Sequence, residues 1–326
     1  MWGQNLSVIL TKLNAMIGEK TEILKPFGEL DVLGLYRKIA PYLEEFLEGK
    51  EIASKTWVPK AKIPYFLNRA GKLGELWIED FRQIDEEFLK LRVGHHLNEV
   101  KDGLNERQIK LWRYFVPRKY SEFYYATNGE GEGKAIERIF IDIDRTNLSP
   151  LKSLKVTRLL VELIEKQIEE DDEFSIVKSI AVYWTGSSFH VYCFLSQSQP
   201  PEFYEERLQF HSGGVLFESW TDMWVRKIRQ KVGFKIAGGH EKRDNYIVID
   251  PSQTPSGKLA RVPLGCLHIK NYEPDGISVP LSEKMLYDDG IIEWLKSLTP
   301  EEVVKKAENP SKYLWSFRGE KMKRIV

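Results

Sequence analysis

The chain has 326 residues, is 42% hydrophobic and 12% aromatic, and sets 48 Lys and Arg against 48 Asp and Glu. That is enough apolar material for one large domain or two, and the zero net charge excludes a chain-wide field drawing it to nucleic acid or membrane, so any polyanion site is a local patch. Two cysteines, Cys193 and Cys266, exclude a disulfide framework and a four-cysteine zinc cluster.

Residues 1 to about 112 read as a mainly helical region. Leu35, Ile39, Leu43 and Phe46 recur at helical spacing, with Pro41 suited to opening a new helix and Gly49 to ending it. Trp77, Phe81, Ile84, Phe88 and Leu91 form a second stripe on an acidic, otherwise polar helix. Both stripes are core. His95 and His96 diverge on a helix and have no other ligand type nearby, so they do not make a metal site. Pro117 to Asn128 is aromatic and strand-like, and Asn128-Gly-Glu-Gly-Glu-Gly-Lys134 breaks it. With glutamates between its glycines and no Gly-Lys-Ser/Thr opening a helix, that segment reads as a hairpin loop rather than a phosphate loop.

Glu137-Arg-Ile-Phe-Ile-Asp-Ile-Asp-Arg145 reads as a strand with Ile139, Ile141 and Ile143 on one face and Phe140, Asp142 and Asp144 on the other. Two adjacent carboxylates on one face repel unless a cation sits between them or water solvates them at an edge. Pro150 then precedes a helix striped by Val156, Leu160, Leu163 and Ile168, running into Glu169 to Glu173. Lys178 to Trp184 is a strand, Thr185 to Ser188 a tight turn, and Phe189 to Leu195 the returning strand. After Pro200-Pro201 comes a long helical region with Leu216, Trp220, Met223 and Trp224 facing inward, then a strand from Tyr246 to Ile249 ending at Asp250-Pro251. The order strand, helix, strand, strand, helix, strand is the split βαβ arrangement of ferredoxin-like and RNA-recognition-motif-like domains, an α+β class. Helices cover one face of such a sheet and the other stays open, with the first and third strands central and the fourth beside the first. Asp142, Asp144, His190 and Asp250 then share the open face with Tyr192 and Phe194. The antiparallel fourth strand is expected to end away from the end of the first.

Three carboxylates and a histidine on one face suit a two-cation site for phosphoryl transfer, with the hard oxygens that magnesium or manganese prefers. Lys258-Leu-Ala-Arg-Val-Pro-Leu-Gly-Cys-Leu-His-Ile-Lys270 follows, and Arg261, His268 and Lys270 in it make a candidate triphosphate clamp, with an ordinary basic loop as the alternative. Arg226 to Arg243 holds seven Lys or Arg against Glu241 alone, so Arg226, Arg229, Lys231 and Lys235 are candidate DNA contacts or else a solvated helix face. The segment from Leu281 to Val326 carries one helix near Ile291 to Leu298 and a basic end. The chain therefore divides as 1–112, 113–280 and 281–326.

Phe-Ile-Asp142-Ile-Asp144, Ser188-Phe-His190, Val-Ile-Asp250 and the Arg261 to Lys270 segment resemble, in order, the motifs of the archaeo-eukaryotic primase superfamily, which includes the small catalytic primase subunit and plasmid-borne primase-polymerases. The likeness spans residues 110 to 275, with Leu264 additional and Cys266 where Ser or Thr is common. It implies a primase-polymerase core after an N-terminal helical region, with Asp142, Asp144 and Asp250 binding two Mg2+ or Mn2+ ions. Ser188, His190, Arg261, His268 and Lys270 would hold the nucleotide's phosphates. It also implies single-stranded DNA template and primer, NTP or dNTP substrates, and a helicase or other replication components as partners. With two cysteines no zinc cluster is expected, which resembles the plasmid and viral branch.

Two other readings compete. Asp142-Ile-Asp-Arg-Thr146 fits the Asp-x-Asp-x-Thr of a haloacid-dehalogenase-type phosphatase, with Asp142 the nucleophile, Asp144 an acid/base and Asp288-Asp289 the later acidic motif. An RNA-recognition-motif-like binding module would instead use Tyr192 and Phe194 as stacking platforms. There is no signal peptide and no apolar run near 18 residues, so a soluble cytoplasmic protein is expected. The 29% charged content, rich in Lys and Glu, leans towards a heat-adapted source.

Overall fold

Alternating side chains set the strands of this computed structural model, which describes residues 21–25, 27, 30–212 and 217–309. In chain order the strands are β1 (Ile52–Trp57), β2 (Tyr65–Asn68), β3 (Ser121–Ala126), β4 (Ile136–Asp144), β5 (Val177–Trp184) and β6 (Phe189–Gln199). There follow β7 (Lys235–Gly238), β8 (Tyr246–Asp250), β9 (Leu259–Arg261), β10 (Leu267–Lys270), β11 (Glu273–Ile277) and β12 (Val279–Leu281). The longer helices are α1 (Leu33–Ile39), α2 (Glu86–Gly94), α3 (Glu106–Tyr114), α4 (Pro150–Glu170), α5 (Trp220–Arg229), α6 (Ile291–Ser297) and α7 (Pro300–Glu308). The fold is mixed α+β.

A six-stranded sheet runs β12-β5-β6-β4-β8-β7, a four-stranded sheet runs β2-β1-β3-β9, and β10 and β11 form a hairpin. In the larger sheet β4 lies between β6 and β8, both antiparallel to it. Asp142 faces His190 across one ladder and Asp250 across the other. β8 overlaps only the last three residues of β4, Asp142 to Asp144, so its terminal Asp250 comes opposite Asp142. The expectation that the two ends lie apart is corrected by that short overlap.

Ile139, Ile141 and Ile143 are fully buried, and α4, begun by Pro150 in its first turn, packs on β4 and β6. Each such side chain removed from water contributes about 1.5–3 kcal/mol. The opposite face is not open as expected. Phe140, Tyr192 and Phe194 are as buried as the isoleucines. Phe46 sets its ring edge against Tyr183, Tyr192 and Phe194, and the Tyr125 and Tyr192 hydroxyls meet at 2.8 Å. A strand that alternates isoleucine with aromatics needs two cores, and the second sheet and the α1 region supply the other one. Apart from Glu137 near its start, β4 is left uncovered at its acidic end, at Asp142 and Asp144.

Helix predominates among the described residues before 113, but β1 and β2 also lie there, and β1 pairs with β3 of the later chain. Ile52-Ala-Ser-Lys-Thr-Trp57 is too polar to announce a strand, and its Ser54 and Thr56 hydroxyls satisfy partners inside the fold. The Trp77 to Leu91 stripe is broken into a short turn of helix at Ile78–Gln83 and α2, where the Asp85 carboxylate accepts the Phe88 N–H at 2.7 Å. The 128–134 loop joins strands of different sheets rather than a hairpin, and Lys134 donates to Glu51 at 2.9 Å. Leu216, residues 1–20 and the basic end beyond Asn309 lie outside the described residues. Among those described, no helix is long and apolar enough to cross a membrane.

Candidate active site

Where β4 emerges from between the two cores, its carboxylates form the floor of a cleft. Asp142, Asp144, Lys242 and Arg261 are shared by two adjoining hollows of about 260 and 330 Å³. Backbone N–H groups fix one oxygen of each flanking acid: Thr146 donates to Asp144 at 2.9 Å and Ser252 to Asp250 at 2.8 Å. The Lys242 ammonium, on the loop between β7 and β8, lies 2.7 Å from the other Asp144 oxygen. Burial, then the charges of Asp144 and Asp250, push Asp142 from the ordinary carboxylate value up to about 7, against Arg261 and Lys242. His190 Nε2 is 3.6 Å from Asp142, and its ring packs on Phe140. Burial, followed by Arg261, pulls His190 well below its usual value, so it is neutral at pH 7 and adds no positive charge to the floor.

The second sheet supplies the wall. Lys55 pairs in register with Glu122, and Tyr124 with Arg261, so all four side chains share one face. Glu122 is fully buried. It accepts from Arg261 at 3.0 Å, the Ile269 N–H at 3.0 Å and the Tyr124 hydroxyl at 3.2 Å, with Lys55 at 3.7 Å. Burial would raise this carboxyl, but Arg261, Lys55 and Ile269 hold it below the usual range. Arg261 is thereby anchored by one nitrogen, while its buried Nε has no partner.

The β10–β11 hairpin carries His268 and Lys270 into the same cleft. It sits so closely on the Thr185 to Ser188 turn that a Cβ on Gly276 would collide with the Gly186 carbonyl, and one on Gly186 would come within 2.5 Å of the His268 Cβ. Gly186 also needs its φ of +95°. Gly186→Ala is therefore expected to destabilise the protein by about 1–3 kcal/mol, read as a lowered urea midpoint at unchanged slope. Burial, then Arg261, push His268 down to about 4, and its Nδ1 lies 3.4 Å from Asp275.

All eight residues expected in a catalytic site line this cleft: Asp142, Asp144, Asp250, Ser188, His190, Arg261, His268 and Lys270. The Ser188 hydroxyl donates to the Ile143 carbonyl, so it also ties β6 to β4. Arg226 and Arg229 border a separate groove beside α5 and are engaged there, Arg226 on Glu218 at 2.7 Å and Arg229 on the Ile236 carbonyl at 2.9 Å. Lys231 follows α5, and Lys235 lies over the Tyr246 ring. Asp289 pairs with Arg158 of α4 at 2.7 Å, away from the cleft. Sequence reasoning missed Lys242, Glu122, Lys55 and Asp275. The sequence signal for Glu122 was its place two residues before Tyr124 in an aromatic strand, where an acid on an inward face needs a cation.

Among the described residues no group of three or more His, Cys, Asp or Glu side chains closes around one point. The three aspartates instead stand along the floor, two of them directly opposed. Their hard oxygens, the raised proton affinity of Asp142 and the lysine ammonium already bound to Asp144 all fit a divalent cation such as Mg2+ or Mn2+.

No protein-family model matches the sequence, and no curated protein matches it. Among solved structures, the fold is similar to the polymerase domain from Mycobacterium tuberculosis Ligase D in complex with DNA, with a TM-score of 0.52 and 13% identity over 88% of this chain and 92% of that chain. The likeness is one of fold.

Proposed function

We propose that this chain is a primase-polymerase of the archaeo-eukaryotic primase superfamily, built on an RNA-recognition-motif-like core, that carries out template-directed nucleotidyl transfer. The observation that carries the reading is the opposition of Asp142 and Asp250 across β4 and β8, with Asp144 beside them, beneath a cationic wall of Arg261, Lys242 and Lys270. Acids below and cations above match a metal-bound triphosphate. The sequence motifs support the same reading, and so does a fold shared with a polymerase domain.

In this reading Asp142, Asp144 and Asp250 hold two divalent cations, which when bound activate a 3′-hydroxyl and stabilise the departing pyrophosphate. The hydroxyl would lose its proton to water as its oxygen attacks the α-phosphorus of an NTP or dNTP, the α-phosphorus bond to the bridging oxygen would break, and pyrophosphate would leave with the primer one nucleotide longer. Arg261 presents a pre-set guanidinium to the phosphates, because Glu122 fixes it before substrate arrives. Lys242, 78% exposed, can leave Asp144 for a phosphate when a cation takes its place. Neutral His190, with Nε2 3.6 Å from Asp142, adds no positive charge that would repel the cations. Single-stranded DNA template and primer are the partners, with a helicase or other replication components beyond them.

Neither Asp288 nor Asp289, the later acidic motif of the phosphatase reading, lines the cleft with Asp142 and Asp144. The binding-module reading loses its platforms, since Tyr192 and Phe194 are buried. Primer extension on a single-stranded template with Mg2+ or Mn2+ tests the proposal. Incorporation should follow the template base and vanish in Asp142→Ala/Asp144→Ala. Full activity in that double variant, or metal-dependent phosphate release without incorporation, would overturn it.

A further inference from the structure

We infer that the β1–β2 hairpin is the track on which a single strand of nucleic acid lies as it leaves the cleft, an assignment that rests on the proposed polymerase reading. From Ile52 to Gly74 the chain carries Lys55, Lys60, Lys62, Arg69 and Lys72 and not one acidic residue. In a chain of zero net charge this is a local basic patch. Lys60, Lys62 and Lys72 are exposed and form no ion pair among the described residues. In α5 and the segment after it, Arg226 is neutralised by Glu218 and Arg229 is tied to a carbonyl, while Lys231 and Lys235 are exposed.

Strand register joins this hairpin to the catalytic wall. Lys55 is opposite Leu67 and Trp57 opposite Tyr65, so these four lie on one face. Lys55 is also opposite Glu122 on β3, and that same face carries Tyr124 and Arg261. The surface that offers Arg261 to the cleft therefore continues without a break to Trp57 and Tyr65 at the edge of the sheet. Lys55 bridges the two parts: it lines the cleft, and its ammonium stands 4.6 Å from the Trp57 ring centre and 4.4 Å from that of Tyr65. Tyr272, at the tip of the β10–β11 hairpin, brings a third ring to Trp57 at 6.3 Å.

The outer edge is apolar and exposed. Tyr65 is 42% accessible, Phe66 40% and Ile63 71%. β2 pairs only with β1 in its sheet, so three occupants are conceivable. A second copy would set Lys60, Lys62 and Lys72 of each chain against one another, since Lys55 and Arg69 are already held by Glu122 and Glu130. A peptide strand would satisfy the backbone edge but leave the lysines without counter-charges. A single strand of nucleic acid supplies phosphates to the lysines and base faces to the rings, and it continues along the wall from a site that handles nucleotides.

The test is binding of a fluorescein-labelled oligothymidylate of ~12 nucleotides, followed by anisotropy in wild type, Tyr65→Ser and Lys60→Glu/Lys62→Glu. Loss of one stacked base should weaken binding by roughly 5- to 100-fold in Tyr65→Ser. The double charge reversal should lower the slope of log K against log salt by at least ~1.4, about 0.7 for each lysine. Unchanged affinity and slope in both variants would overturn the assignment, as would a Tyr65-dependent dimer in wild type that binds the oligonucleotide no better than the variants. The thermal shift on adding Mn2+ and dNTP reports the cleft separately. If that shift persists while the variants bind normally, the track alone fails; if wild type shows neither shift nor oligonucleotide binding, the polymerase reading fails with it.

Discussion

Asp142→Asn is expected to abolish nucleotidyl transfer and at the same time to make the metal-free protein more stable at pH 8. The activity loss should be on the order of 10³-fold, because a metal supplies several kcal/mol of charge stabilisation and each 1.36 kcal/mol is a decade in rate. The stability gain follows from the floor of the cleft. Burial and the charges of Asp144 and Asp250 raise the folded-state value of Asp142 from 3.8 to about 7. The folded chain then holds this proton more tightly than the unfolded chain does. Stability from this group is complete below pH 3.8 and is lost as pH rises through 7, the opposite of an aspartate in a salt bridge. At pH 8 the ionised Asp142 therefore costs folding energy that asparagine does not. Its side chain is 35% exposed, so solvent screening trims the gain to about 1–2 kcal/mol. Chemical denaturation with EDTA present should show a higher midpoint for the variant at pH 8 and near-equality at pH 4. A variant that is less stable at pH 8 would mean the three acids do not strain one another.

Arg261→Met is expected to cost about 3–5 kcal/mol of stability, as removing one member of a buried ion pair does, and to weaken nucleotide binding as well. The cause is Glu122. It is fully buried, and without Arg261 its charge would face only Lys55 at 3.7 Å and two hydrogen-bond donors. Adding Glu122→Gln removes that stranded charge, so the double variant should regain a substantial part of the lost stability. It should regain none of the nucleotide affinity, because the guanidinium is still missing. Denaturation midpoints and a nucleotide titration on the four proteins of the cycle separate the two effects. Additive stability losses would show that Arg261 and Glu122 are not coupled.

How far the site was legible in the sequence depended on whether its residues followed strand periodicity. Asp142, Asp144, His190 and Asp250 did, since alternation placed them on one face; the register sets Asp142 between His190 and Asp250, with Asp144 two residues further along β4. The α4 stripe was equally plain, because Pro150 and a run of apolar residues at helical spacing leave little choice. β1 was not legible. Its Ser, Lys and Thr are satisfied by tertiary partners that come from β3 and from the end of α3. The buried second face was missed for a related reason: Phe140, Tyr192 and Phe194 could equally serve a solvent-facing platform, and only Phe46 and Tyr125, distant in sequence, decide for a core. Glu122 and Lys242 look like any surface acid and lysine until Arg261 and Asp144 are placed beside them.

The central claim is that Asp142, Asp144 and Asp250 bind divalent cations for nucleotidyl transfer. Its most direct test is calorimetric titration of Mn2+ into wild type and Asp142→Asn, with and without a non-hydrolysable dNTP analogue. Wild type should bind Mn2+, bind more of it when the nucleotide analogue is present, and release protons from Asp142 near pH 7 as it does so. The variant should lose that binding while staying folded. Equal Mn2+ binding by the two proteins, or none by wild type even with nucleotide, would contradict the claim.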